Sequence, residues 1–247
     1  RAAFERQAAE SLEEGSDTIP SEPYDGFYTD VMYPARFEEE RFARSQLRDA
    51  LTASSVIYEG APLLVLTGWD DYITVLADGL RLEFASSSGK VPGNPLDRYY
   101  FWRIKQSGLL VVRSLAWEDT HFAPRGQRRI NKASLVNHMS ESVAALVRLY
   151  SELGVSDEDV TWMFNLAGTR HRFLADPPNI MPYPGQNPMT EEASISYRKT
   201  LSIEDWRAGL LDHVVDAVRD IVEQFKAPFV NYGDVREQAR KHLRLSS

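Results

Sequence analysis

Strand-type alternation and helix-type spacing of apolar residues fall in separate stretches of this chain, and that segregation constrains the fold more than any other feature. Between Val56 and Trp117 the pattern is that of strands. Leu63-Leu64-Val65-Leu66 is short, apolar and bounded by Pro62 and Gly68. Tyr72 to Leu76 carries β-branched residues and is followed by Asp78-Gly79, after which Leu80, Leu82 and Phe84 alternate with Arg81 and Glu83. Two such runs around Asp-Gly predict a hairpin, because that dipeptide accepts the backbone angles of a tight turn. Tyr99 to Ile104 and Leu109 to Leu115 predict two more strands joined near Ser107-Gly108, and Val160 to Leu166 alternates again.

Helical spacing appears elsewhere. Leu135, Met139, Val143, Leu146, Val147, Tyr150 and Leu153 recur at steps of three and four, and Gly154 follows where a left-handed cap is needed. Ser202, with Asp205 three residues on, opens a second periodic run from Ile203 to Phe225. Pro34 predicts the first turn of a helix reaching about Ala53, and Tyr24 to Tyr33 reads as a short strand. Strands and helices that do not alternate strictly predict an α+β fold: a mainly antiparallel sheet of five to six strands with helices packed on one face. Residues 1–23 read as a connecting helix and a Pro/Ser/Gly linker, and 24–247 as one domain. Because the first residue is Arg1, the chain is expected to be part of a longer cytoplasmic protein whose upstream domain is a natural partner.

Composition narrows the chemistry. The 247 residues contain no Cys, which removes disulfides, thiolate metal sites and a Cys nucleophile. Hydrophobic residues are 43% and charged residues 26%, enough for a sizeable core. No apolar run approaches the roughly 20 residues a membrane helix requires. The net charge is −8, unevenly spread. Residues 1–26 hold seven acidic and two basic side chains, or −5; residues 97–132 hold eight basic and three acidic, or +5. An acidic protein with one basic stretch can still bind an anion locally.

No motif specifies a cofactor. The five His residues lack the spacing of a metalloprotease helix. Ser86-Ser87-Ser88-Gly89-Lys90 lacks the first Gly and the hydroxyl of a phosphate loop, and no Gly-x-Ser-x-Gly elbow exists. A restriction-type nuclease would place an acid two residues before a Lys, but Arg103-Ile104-Lys105 carries Arg there. The metal-assisted alternative, a phosphodiesterase or nuclease, would rest on Glu118, Asp119 and His121, since residues two apart on a strand end share a face. The lead candidates are two basic loops: Arg125, Arg128 and Arg129, before a helix, and Arg170, His171 and Arg172, after a strand. Arg suits bidentate contact with phosphate or carboxylate. These loops predict a non-enzymatic sensor or partner-binding domain taking nucleic acid, another anion or an acidic protein surface.

The order of segments adds a resemblance. Phe27-Tyr28 to Pro34-Ala35-Arg36-Phe37, then Gly60 with strands, Gly108-Leu109-Leu110 and Leu166-Ala167-Gly168-Thr169-Arg170 resembles the carboxy-terminal region of bacterial proteins with an Alba-like, Schlafen-type DNA-binding domain. The resemblance implies an accessory or sensing domain. That family's DNA- and ATP-binding residues would lie upstream of Arg1, so none transfers to this sequence.

Overall fold

The computed structural model describes residues 1–15, 26–54, 73–85, 99–116, 129–175, 189–226 and 230–245. Its centre is a seven-stranded antiparallel sheet in the order β2-β3-β4-β5-β1-β7-β9. These strands are β1 (Phe27–Pro34), β2 (Ile73–Leu76), β3 (Gly79–Ala85), β4 (Tyr99–Lys105), β5 (Leu110–Leu115), β7 (Asp159–Ala167) and β9 (Ser194–Ser202). A second, two-stranded parallel sheet pairs β6 (Arg129–Asn131) with β8 (Phe173–Ala175). The helices are α1 (Ala2–Glu14), α2 (Arg44–Ser54), α3 (Lys132–Glu152), α4 (Ile203–Ala208), α5 (Leu210–Gln224) and α6 (Tyr232–His242). The α+β class is as the sequence predicts, with one strand more in the main sheet than the upper expectation.

Local chemistry explains several elements. The hairpin forms at the expected place, with Leu76 opposite Gly79 and Ala77-Asp78 as its two-residue turn. Helix α3 starts on Asn131, whose side chain accepts from the Ala133 N–H, and stops at Gly154, which takes φ +72. Ser202 caps α4 by accepting from the Asp205 N–H. The expected strand before Pro34 forms as β1 and is buried along its length between β5 and β7. Two boundaries differ from expectation. Pro34 ends that strand rather than opening a helix, and α2 begins only at Arg44. Proline fits a strand's end because no ladder hydrogen bond is asked of it there. The run from Ile203 to Phe225 breaks at Gly209, where a glycine costs the helix about 1 kcal/mol. The expected strand Leu63–Leu66 lies outside the described residues.

Both faces of the sheet are covered. Side chains such as Met32, Trp102, Val112, Trp162 and Phe164 point to the face on which α2 to α6 pack. The other face, with Phe27, Val31, Phe101 and Val111, packs against α1. Arg103 therefore lies inside the molecule, 1% exposed: it donates to the Leu80 and Ile104 carbonyls at 3.1 and 3.0 Å and bonds to Asp78. Val143 and Val214 are fully buried under the sheet, while Arg81 is half-exposed. Val143→Ala or Val214→Ala is expected to lower stability by about 1–3 kcal/mol through lost transfer energy and a cavity. Arg81→Ala should cost about 0.5 kcal/mol or less. Urea denaturation of the three variants checks the order, and a reversal would invalidate the assigned faces.

Candidate functional site

The two basic segments meet through backbone pairing. Ile130 and Leu174 are the buried anchors of the β6–β8 ladder, and the same ladder sets Arg129 opposite Phe173 and Asn131 opposite Ala175. Alternation along a strand turns Arg129 and Asn131 away from the anchors, and both are half-buried. Asn131 caps α3, whose first turn begins with Lys132 and contains no acidic residue. Its aligned peptide dipoles leave partial positive charge at that end. Arg129, Lys132 and the residues after Arg172 thus share one corner of the molecule. Arg125 and Arg128, which precede β6 in the chain, lie outside the described residues, as do Glu118, Asp119 and His121.

The 170–172 segment divides its labour. The turn after β7 uses Gly168 at φ +69 and His171 at φ 60. It is laced to the segment before β9: the Thr169 N–H donates to the Ala193 carbonyl and the His171 N–H to that of Thr190, at 3.1 and 2.9 Å. Arg172 is 2% exposed, and its Nε donates to the Gly168 carbonyl at 2.6 Å, so it holds the turn from inside. Arg170 and His171 face outward beside Glu191: Arg170 Nε donates to its carbonyl at 3.3 Å, and His171 Nδ1 lies 3.4 Å from its carboxylate. The anion-binding candidates therefore separate into outward Arg170 and His171, inward Arg172 and half-buried Arg129.

A second constellation has no counterpart in the sequence reading. Asp30 on β1 is 1% exposed; its Oδ1 accepts from the Trp162 indole N–H at 2.8 Å, and its Oδ2 sits 2.7 Å from His138 Nε2. The Tyr28 ring stacks on that imidazole with centroids 4.6 Å apart. Two further His residues are held by neighbours. His242 Nε2 lies 2.8 Å from Glu141 in the seam between α3 and α6, where Gln238 also donates to the Ala133 carbonyl and to Asn137. His213 Nε2 lies 3.0 Å from the Asp205 carbonyl, which can only accept; Nε2 therefore carries the proton and Nδ1 accepts from Lys199 at 3.0 Å. Lys199 in turn pairs with Asp216. On the same face of β9, burial, followed by the charges of Asp220 and Asp216, pushes the Tyr197 phenol well above its ordinary value.

Each of these groups is engaged by its neighbours: Asp30 with His138 and Trp162, Glu141 with His242, and Lys199 with His213 and Asp216. Among the described residues, no three His, Asp or Glu side chains are grouped to hold a metal ion. Among the described residues, too, no helix is long and apolar enough to cross a membrane. No protein-family model, curated protein or solved structure matches the chain.

Proposed function

We propose that this chain is a binding domain that engages the phosphates of a nucleic acid at the corner formed by β6, β8 and the start of α3. The observation that carries the reading is the parallel β6–β8 pairing, which sets Arg129 alongside the Arg172–Phe173 end of the second basic segment. Two features lie there: Arg129 with Lys132, and the positive end of a 21-residue helix. Arg125 and Arg128 precede β6 in the sequence and add to its basic charge. Phosphate oxygens accept well from guanidinium groups and from helix N-termini. The buried pairs Asp30–His138 and Glu141–His242 support a binding rather than a catalytic role, since each is engaged in holding elements together.

The expected binding is weak and salt-sensitive, because the whole chain carries −8 and because each phosphate contact releases counterions. Arg128→Gln with Arg129→Gln should weaken it about tenfold and reduce the slope of log K against log salt by about 2. Arg172 is left untouched, since it supports the turn. The measurement is fluorescence anisotropy with short single- and double-stranded oligonucleotides at two salt concentrations. Absence of binding, or binding indifferent to the double substitution, overturns the reading.

A further inference from the structure

The second face of the sheet is built to receive a helix. Three of the cations on it each have a partner outside α1. Arg103 bonds to Asp78 and two backbone carbonyls, Lys105 lies 3.5 Å from Asp78, and Arg198 donates to the Tyr33 hydroxyl at 2.8 Å. Burial of the Asp78 carboxyl works to raise its pKa, but Arg103 and Lys105 together hold it below the ordinary value. Part of what positions these cations therefore comes from outside α1. Helix α1 then adds one carboxylate to each: Glu14 at 3.3 Å from Arg103, Glu10 at 3.6 Å from Lys105 and Glu5 at 3.2 Å from Arg198.

The apolar contacts are lopsided in the same way. Of the nine buried residues in this smaller core, only Phe4 and Ala8 come from α1. Phe4 is the anchor, stacked on Tyr33 at 4.8 Å and edge-on to Phe37 at 4.9 Å. Besides Phe4 and Ala8, α1 buries Ser11, packs Leu12 against this core and accepts a hydrogen bond from the Ser107 hydroxyl at Gln7. A terminal helix held on one side only, with partly exposed ion pairs, belongs to the part of a structure that opens early.

We propose that α1 is an exchangeable helix, and that the groove it fills also accepts α1 from a second copy of this chain. The partner is a second copy because the groove's cations and its aromatic slot match the spacing of Glu5, Glu10, Glu14 and Phe4. An exchanged pair reproduces each of these contacts with the same chemistry, which is the condition under which swapping costs least.

The test supplies that second α1 as a fluorescent peptide of residues 1–15. It is titrated into the unaltered chain and into a Phe4→Ala/Glu14→Gln variant, whose own helix competes less well. The variant should bind the peptide at least about tenfold more tightly, since the tethered helix otherwise holds a high effective concentration over the groove. A peptide with Glu5, Glu10 and Glu14 all changed to Lys should not bind. If the variant keeps its circular dichroism and fails to bind, or takes the Lys peptide equally well, the proposal falls. Hydrogen exchange on the unaltered chain decides the case where the variant does not fold. Amides of α1 should then exchange at least about tenfold faster than those of β1 and β5; equal protection overturns exchange.

Discussion

His138→Leu is expected to destabilise the protein by about 3–5 kcal/mol, the cost of leaving a buried charge without its partner. The carboxylate concerned is Asp30, 1% exposed on the central strand β1 beneath α3. With the imidazole gone, only the Trp162 indole N–H still donates to it among the contacts described above. The substituted leucine fills similar volume, so the loss measures the pair rather than a cavity. Asp30→Leu in the same background should recover part of the stability, because both partners of a buried hydrogen-bonded pair can be replaced by apolar groups at little net cost. A double-mutant cycle in urea yields the coupling directly. A loss below about 1 kcal/mol for His138→Leu would mean that the pair behaves as a solvated one.

The second large effect is expected at Gly79. Its φ of +152 lies where side chains are rarely accommodated, and a Cβ placed there would come within 2.1 Å of the Ile104 carbonyl oxygen and 3.0 Å of the Arg103 guanidinium. The obstacle is neighbouring-strand backbone, which cannot step aside without breaking the β3–β4 ladder. Gly79→Ala should cost about 2–5 kcal/mol, with backbone strain and overpacking acting together. Gly154→Ala is the matched control: it also has positive φ, +72, but nothing lies within 4 Å of the added methyl. It should cost about 1–2 kcal/mol, the left-handed penalty alone. Equal losses at the two sites would show that the approach of β4 to Gly79 is unimportant.

Elements governed by near neighbours could be read directly from the chain. The β2–β3 hairpin is marked by Asp78-Gly79, although its turn is Ala77-Asp78 and Gly79 already opens β3; the end of α3 follows from Gly154 and the start of α4 from Ser202 and Asp205. Elements whose identity depends on a distant partner could not. β9, with the sequence SISYRKTLS, mixes polar and apolar residues and becomes a strand by pairing with β7. β6 and β8 are three residues each and exist through one another. The Asp30–His138 pair joins residues 108 apart in the chain, so neither carries a local signal of the other.

Charge shows the same division. The sequence determined that residues 1–26 hold −5 and residues 97–132 hold +5, which by itself reads as an acidic leader and a basic ligand-binding stretch. The tertiary structure decided that part of that basic charge serves the fold. Strand alternation turns Arg103 and Lys105 to the sheet face that α1 covers, and Glu14 and Glu10 of α1 meet them there. Arg129 leaves the same stretch for a different corner, beside β8. A sequence records how many charges a segment carries, but whether they are spent on one another depends on which face each strand presents and what packs against it.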